Sequence, residues 1–332
     1  MTQSSNRRNL WSIVLAGGDG TRVGSFVQRW LGQQRPKQFC TFVGTRSLLQ
    51  HTLDRAARLA PAERSVLVVS QAHRHEAMTQ VAGRGVGILL FQPANRDTAA
   101  GVFLPLTYIR AQDRQATVVI YPSDHFVFPE EQFLENVQDA VRAAERLKNH
   151  IVLLGIAPDR LELDYGWILP GQRLAQAGGK PIQTVQSFLE KPTAQEADTA
   201  LSRHALWNTM VMTAKADTLW ELGRRCFPDL MKRFERLGRA IGTPKEVRVL
   251  EETYQTMPAR NFSADLLQRV PERVAVTELT NTLWSDWGRP ERIVEALRRI
   301  GRTPIFPLDT LNSPFAPIAN TTALATPVSQ GG

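Results

Sequence analysis

Short apolar runs and amphipathic segments alternate through the first half of the chain. Between the apolar runs, residues 129–148 place Phe133, Val137 and Val141 on one face at helical spacing, which predicts an amphipathic helix. Alternating strands and helices predict an α/β fold, a Rossmann-like and mostly parallel sheet with helices on both faces. Such sheets bind ligands at the carboxyl ends of their strands. The runs that predict buried strands are residues 12–15, 65–70, 87–91, 117–121 and 151–156.

The pattern changes after about residue 160. Residues 217–257 are predicted to be mainly helical, and residues 290–300 form a closing helix that begins with Pro290. We expect one domain over residues 1–302, in two halves that meet near residue 160. A Pro-, Thr- and Ser-rich flexible tail is expected over residues 303–332, without a further folded domain. Shorter strands are predicted at residues 166–169, 185–189, 209–212 and 274–278.

Composition narrows the class of partner. The chain has 332 residues, 42% of them hydrophobic, and a formal net charge of +8, which favours anionic ligands. Its basic residues are interleaved with acids rather than grouped, so no nucleic-acid partner is expected. The apolar runs are far shorter than a membrane helix requires, and no signal peptide is recognisable. Because Cys40 and Cys226 form neither a disulfide framework nor a zinc pattern, we expect a cytoplasmic protein.

A glycine-rich loop follows the first predicted strand. Gly17, Gly18 and Gly20 allow main-chain N–H groups to turn toward an anion, and Arg22 adds a cationic fork for phosphate oxygens. The spacing fits neither a Walker A loop nor a dinucleotide-binding loop. On the glycines alone, an ordinary turn between a strand and a helix explains the loop equally well. Lys37, after a proline, supplies a second cation for the same phosphates, although a Pro-Lys pair alone is usually a solvated turn.

Two aspartates are candidate metal ligands. Asp124 comes just after the strand at 117–121, where a carboxylate beside a triphosphate suits Mg²⁺, but on the residues alone a cap of a helical turn by Ser123 or Asp124 is the favoured explanation. Asp286 lies between two tryptophans far along the chain, and on its own a capping role in a core turn explains it better. His125 is assigned a structural role, because an ionised sugar phosphate needs no general base.

Two further segments end predicted strands with polar residues. Glu190 and Lys191 could bind sugar hydroxyls and a phosphate, although alone they look like an ordinary exposed strand end. Gln92 precedes a segment in which Arg96 either faces phosphate or braces its loop. Both segments therefore stay open on the residues alone.

Several of these motifs together resemble one family. The loop at residues 15–22, followed by Pro36-Lys37-Gln38-Phe39, resembles the signature of sugar-1-phosphate nucleotidyltransferases, in particular the mannose-1-phosphate guanylyltransferase branch. Further segments similar to family motifs follow in order up to Gly288; they are residues 92–99, 122–125, 164–168, 188–192, 207–208 and 283–288.

This resemblance implies transfer of a nucleotidyl group from GTP to mannose 1-phosphate, with Mg²⁺ as cofactor, a nucleotide-binding first half and a sugar-binding second half. It implies catalytic roles for Arg22, Lys37 and Lys191, and metal binding by Asp124 and Asp286. The implied nucleotide-binding residues are Leu15, Ala16, Gly17, Gly18, Gly20, Thr21, Gln92, Arg96 and Ser123. The implied sugar-binding residues are Gly166, Glu190 and Asn208.

Two departures from the family pattern leave the substrates open. Residues 23–35 replace a shorter stretch, which predicts a longer loop over the nucleotide, and Met210 stands where the family usually has glycine after the Trp-Asn motif. The alternatives are glucose 1-phosphate with UTP or dTTP, or a non-catalytic regulatory paralogue that binds a nucleotide sugar. The resemblance also allows a homodimer, and the length after residue 300 predicts no isomerase activity.

Overall fold

A large central sheet organises the protein, whose computed structural model describes residues 9–311. Its strands are β1 (Leu10–Ala16), β2 (Ser65–Ser70), β3 (Ile88–Gln92), β4 (Thr117–Pro122), β6 (Ile151–Ile156), β7 (Gly166–Ala177), β8 (Lys180–Glu190), β9 (Leu206–Lys215) and β10 (Val274–Glu278). Within that range they lie in the order β3-β2-β1-β4-β9-β6-β10-β8-β7. A separate antiparallel pair joins β5 (Phe126–Phe128) to β11 (Leu283–Ser285).

Strand direction follows the predicted α/β pattern. β1 is parallel to β2 and β4, β2 is parallel to β3, and β6 is parallel to β10. β9 runs antiparallel to both β4 and β6, so β1–β4, β6 and β10 all point one way. The prediction of a mostly parallel α/β sheet is confirmed. The long β7–β8 hairpin also pairs with β9, which closes β9, β6, β10, β8 and β7 into a ring.

Helices cover both faces of the sheet. Along β1 the side chains alternate, so Ile13 belongs to the apolar cluster that includes residues of α4 (Asp97–Gln112), α7 (Ala216–Cys226) and α8 (Pro228–Ala240), whereas Val14 belongs to the cluster that includes residues of α2 (Leu48–Ala57) and α5 (Glu130–Arg146). A third apolar cluster joins α1 and α10 around Phe42 and Trp287. The helices are α1 (Gly24–Leu31), α2 (Leu48–Ala57), α3 (Arg74–Val81), α4 (Asp97–Gln112), α5 (Glu130–Arg146), α6 (Ala194–Ser202), α7 (Ala216–Cys226), α8 (Pro228–Ala240), α9 (Glu246–Thr256) and α10 (Pro290–Arg299).

Two sequence-based expectations need correction. Residues 23–35, expected as a loop over the nucleotide, contain α1, whose Phe26 and Val27 are buried in the third apolar cluster. Residues 303–311 of the expected tail also pack on the domain, because Phe306 is buried there and the amide of Ile305 donates to the carbonyl of Phe42. The remaining tail, residues 312–332, lies outside the described part. No helix between residues 9 and 311 has the length and hydropathy to cross a membrane.

Candidate active site

The glycine loop leaves the carboxyl end of β1 and packs against the segment that carries Lys37. Gly20 has a φ of 62°, and a Cβ atom on it would lie 2.7 Å from the main-chain nitrogen of Lys37, so glycine is required there. Gln38 Nε2 donates to the carbonyls of Ala16 at 3.1 Å and Gly18 at 2.7 Å. The two segments predicted to bind phosphate therefore form one unit.

A cluster of two cations and two carboxylates lies beside this loop. Lys37 Nζ is 3.0 Å from Asp124 Oδ2 and also donates to the carbonyl of Asp286, which is 249 positions away in the sequence. Arg22 Nη2 is 2.9 Å from Asp286 Oδ2. The structure thus brings together four of the residues for which the sequence predicts catalytic or metal-binding roles.

The Asp286 carboxylate is held by groups from three parts of the chain. Its Oδ1 atom accepts from the Tyr165 hydroxyl at 2.5 Å, from Arg292 Nη1 at 2.9 Å and from the amide of Gly288 at 2.9 Å. Arg292 also pairs with buried Glu162. Oδ1 is therefore fully engaged in fixing the side chain, and Oδ2 is left for other ligands.

Sequence reasoning missed the roles of Tyr165 and Arg292. Arg292 lies on the buried face of α10, next to Ile293 and one turn before Ala296. An arginine on the apolar face of an amphipathic helix needs a buried partner. That position is the signal that could have pointed to Arg292, but it does not identify the partner.

Charges in the cluster outweigh burial at both aspartates. Burial alone would raise the pKa of Asp124 and of Asp286, but nearby Lys37 lowers both, and the net pKa of each carboxyl group is lowered. Both are therefore ionised at neutral pH.

Burial lowers the pKa of His125, whose ring packs edge-on against Trp284 with centroids 5.2 Å apart. A neutral, packed imidazole agrees with a structural role.

The two carboxylates fit a magnesium ion. Within residues 9–311, Asp286 Oδ2 forms the ion pair with half-exposed Arg22 but no contact with hydrogen-bond geometry, and a Cβ atom on Gly288 would lie only 2.4 Å from it, so glycine keeps that side open. The Asp124 side chain is 33% exposed. The same part of the chain holds no group of three or more His, Cys, Asp or Glu residues suited to a metal. The pair of Asp124 and Asp286 matches the way Mg²⁺ is usually held, by one or two carboxylates together with substrate phosphates.

Gly166 and Glu190 are paired residues of β7 and β8 on the predicted sugar side. A Cβ atom on Gly166 would lie 3.1 Å from Glu190 Oε2 and 2.9 Å from the Phe188 ring, so the glycine lets the carboxylate approach the main chain. Burial raises the pKa of Glu190, Lys191 opposes this, and Asp97 adds to it. Because Asp97 follows β3, the two sides of the crevice are within electrostatic reach of each other.

The two remaining residues on the predicted sugar side differ in whether their side chains are available to bind a ligand. Buried Asn208 is engaged by Met210, whose Sδ lies 3.2 Å from Asn208 Nδ2 and whose amide donates to Asn208 Oδ1 at 3.0 Å. Met210 has a φ of 57°, and its sulfur also accepts from the Ser263 hydroxyl. Exposed Lys191 has no hydrogen-bond or ion-pair partner in the described range. Lys191 is therefore available to a ligand, whereas Asn208 is occupied.

The predicted nucleotide side is built around Gln92, the last residue of β3. A Cβ atom on Gly17 would lie 2.3 Å from Gln92 Nε2, and Gln92 Oε1 accepts from the Tyr254 hydroxyl at 3.1 Å. Arg96 donates to the carbonyls of Tyr254 at 2.9 Å and Gln255 at 3.3 Å. Arg96 therefore braces its loop, the second of its two predicted roles, rather than pointing its guanidinium at a phosphate.

The other predicted nucleotide-side residues connect the strand ends. The amide of Ser123 donates to the carbonyl of Leu15 at 3.0 Å, which joins the end of β4 to the end of β1. Thr21 begins a short 3-10 turn that carries Arg22. At the start of α4, the amide of Asp97 donates to Asn95 Oδ1 at 3.0 Å and the amide of Thr98 donates to Asp97 Oδ1 at 2.6 Å.

Comparisons with known proteins show which proteins this chain resembles. A mannose-1-phosphate guanylyltransferase of Salmonella montevideo is 29% identical over 283 residues, 83% of this chain and 57% of that protein. The alginate biosynthesis protein AlgA of Pseudomonas aeruginosa is 29% identical, over 83% of this chain and 56% of its own. The chain thus spans less than two thirds of these curated relatives.

A solved structure extends the likeness. The crystal structure titled mannose-1-phosphate geranyltransferase, from Thermus thermophilus, has a TM-score of 0.73 and 30% identity, and the match covers 89% of this chain and 80% of that one. The profile of the Nucleotidyl transferase family matches residues 11–302. That range holds the sheet apart from Leu10 and every residue of the candidate active site, and the chain belongs to the Nucleotidyl transferase family.

Proposed function

We propose that this protein transfers the guanylyl group of GTP to α-D-mannose 1-phosphate and forms GDP-mannose and diphosphate. The observation that carries the proposal is the convergence of Arg22, Lys37, Asp124 and Asp286 beside the glycine loop. The names of several relatives support the choice of substrates. The two free cysteines support a cytoplasmic location.

The proposed reaction is an in-line displacement. A phosphate oxygen of the sugar phosphate attacks the α-phosphorus of GTP, and the bond to the β-phosphate oxygen breaks, so that diphosphate leaves with the electron pair. The attacking oxygen is already ionised near neutral pH, which is why neutral His125 is not needed as a base. The protein must orient two polyanions and neutralise their charge, and Arg22, Lys37 and exposed Lys191 supply that charge.

We propose Mg²⁺ as the cofactor, held by Asp124 and Asp286. When bound, it would supply positive charge to the phosphate oxygens. Arg22 is half-exposed, so we expect it to leave Asp286 for the nucleotide phosphates when substrate binds. Tyr165 and Arg292 keep Asp286 in place during that exchange, because they bind its other oxygen.

The sugar is assigned to the crevice formed by Gly166 and Glu190. The Glu190 carboxylate would accept from sugar hydroxyls, and the open main chain at Gly166 lets a ligand approach closely.

One observation favours a second candidate, a different sugar 1-phosphate with UTP or dTTP. Met210 occupies the amide of Asn208, the group that the family resemblance assigns to the sugar.

Product identification tests the proposal. The purified protein would be mixed with Mg²⁺ and every pair drawn from four NTPs and from mannose, glucose and galactose 1-phosphates, and products identified by mass. The proposal expects GDP-mannose as the main product, and a higher kcat/KM for another pair would replace it with the second candidate. Tight nucleotide-sugar binding without turnover of any pair would support a regulatory paralogue instead. Asp124→Asn is the matched inactive control.

A further inference from the structure

We propose that the protein has a second ligand site, for a small phosphate-bearing anion, in a surface cavity between α4, α7 and α8. The cavity has a volume of about 440 Å³, a size typical of small-molecule sites. An excess of positive charge in a concave surface attracts and concentrates anions. The charged residues that line it are Arg110, Arg114, Arg224, Arg239 and Glu235.

The cavity lies at the opposite end of the fold from the candidate active site. α4 begins at Asp97, beside the nucleotide side, and its 16 residues span about 24 Å before the chain reaches Arg114. β4 begins at Thr117, close after Arg114, and its six residues span about 20 Å before Asp124. An anion in the cavity therefore shares no ligand with the candidate active site.

One arginine in the cavity is already fixed in position. The guanidinium carbon of Arg110 lies 4.3 Å from the centre of the Trp220 ring, and Arg110 Nη2 is 2.7 Å from Asp217 Oδ1. Close packing of the helices holds this arrangement, because a Cβ atom on Gly223 of α7 would lie 2.5 Å from Phe103 of α4. A pre-ordered cation loses little conformational entropy when a ligand binds.

Two other arginines are free to bind. Arg114 and Arg239 are exposed, and neither has a hydrogen-bond or ion-pair partner among residues 9–311. Arg224 is only 3.4 Å from Glu235 Oε1, so the cavity keeps uncompensated charge mainly at Arg114 and Arg239. Guanidinium groups bind phosphoryl oxygens in a bidentate manner, which matches two free arginines across one cavity.

The arrangement of the positively charged side chains favours a small-molecule ligand over a nucleic acid. The cations meet in a single concavity that Glu235 also lines and where Asp217 pairs with Arg110, whereas a nucleic-acid backbone needs a row of cations along a surface. The recognised chemistry is a phosphoryl group, and its source is either inorganic diphosphate or a sugar phosphate. This second site does not depend on the proposed reaction.

Calorimetric titrations test the site. Inorganic diphosphate and, separately, mannose 6-phosphate would be added at about 150 mM NaCl, where nonspecific attraction is screened. We expect R114A/R239A to weaken binding of at least one probe by tenfold or more. The matched control R298A/R302A removes two exposed arginines elsewhere and should leave the affinity unchanged. The same titrations of the Lys37→Met variant identify the part of the binding heat that comes from the candidate active site.

The two probes separate the sources of the phosphoryl group, and two results would overturn the site. One is equal affinity of the two double variants for both probes. The other is a lower melting temperature of R114A/R239A with binding intact, which would show that the arginines only neutralise helix ends. If R114A/R239A fails to fold, R114Q/R239Q keeps much of each side chain and gives the same comparison. Basal turnover of R114A/R239A without probe should stay within about twofold of wild type.

Discussion

Lys37 and Asp124 form an ion pair in which the lysine is buried. Its Nζ is 3.0 Å from Asp124 Oδ2, it also donates to the carbonyl of Asp286, and only 3% of its side chain is exposed. The cation is therefore fixed between the end of β4 and the segment that follows β11. A charge held this way needs no reorganisation when phosphates arrive, which is the condition for strong electrostatic catalysis.

The first prediction concerns this lysine. Lys37→Met keeps the length of the side chain but removes its charge, and we expect turnover to fall by about two to three orders of magnitude. Steady-state rates at saturating substrates measure the effect. Arg35→Met is the control, because Arg35 precedes Lys37 by two positions and pairs with Glu76 instead. Similar rates for both variants would contradict a catalytic role for Lys37.

The second prediction compares two glycines of the loop. Gly20→Ala places a methyl group 2.7 Å from the main chain at Lys37 in a backbone with φ 62°, so we expect a loss of about 1–3 kcal/mol in stability and a large loss of activity. Gly18→Ala meets nothing within 4 Å and should stay close to wild type in stability. Denaturant unfolding of the two variants gives the comparison, and equal losses of stability at the two positions would disprove the packing argument.

The third prediction concerns Arg292. Arg292→Met leaves Glu162 buried without its partner, and we expect the free energy of unfolding to fall by about 3–5 kcal/mol. R292M/E162M removes both charges and should recover much of the loss. Arg289→Met breaks an exposed pair with Asp164 at 3.1 Å and should cost about 1 kcal/mol or less. If the double variant is no more stable than Arg292→Met, the pair is not the source of the effect.

An element of this fold can be predicted from the sequence when its signal lies in the residues of that element. β2, β6 and β10 occupy the ranges predicted from their apolar runs, because strands buried on both faces are nearly continuous in Val, Ile and Leu. No local pattern predicts β5 and β11, since each is only three residues long and exists through pairing with a distant segment. The sequence does not predict α1 either, because its burial depends on α10 and Phe306, which lie far along the chain.

Some features of the candidate site also have a local sequence signal, and others depend on contacts between distant segments. The glycine loop and the positions of Asp124 and Glu190 at strand ends follow from local pattern. That Asp286 meets Lys37 could be expected only from a family resemblance, because no spacing rule relates residues 249 positions apart. The engagement of Asn208 by Met210 depends on a single side-chain conformation, which sequence pattern does not specify.

The fourth prediction concerns the two thiols. Burial raises the pKa of Cys40 to about 12 although Arg35 opposes this, so almost none of the Cys40 thiol is ionised at pH 8. The thiolate is the reactive form, and we therefore expect iodoacetamide to leave Cys40 unmodified in the native protein. Mass spectrometry of peptides after native and denatured labelling tests this. Half-buried Cys226 should react faster, and native labelling of Cys40 at the same rate would contradict its burial.

The fifth prediction concerns Met210 and the sugar. Met210 has a φ of 57°, a conformation that glycine adopts without strain, so Met210→Gly should not destabilise the backbone. It also removes the sulfur that lies 3.2 Å from Asn208 Nδ2. If Asn208 binds the sugar, the freed amide should lower the KM for the sugar 1-phosphate several-fold and leave the KM for the nucleotide unchanged.

The double variant M210G/N208A separates this explanation from a simple gain of space. Without the Asn208 amide, the lower KM should be lost even though the pocket is larger. If the KM stays low in M210G/N208A, the methionine restricts the pocket by its volume, and Asn208 is not a sugar ligand. The same rates measured with mannose and glucose 1-phosphates would show which hydroxyl arrangement the released amide prefers, since a site that hydrogen-bonds a hydroxyl discriminates strongly against a substrate that cannot supply it.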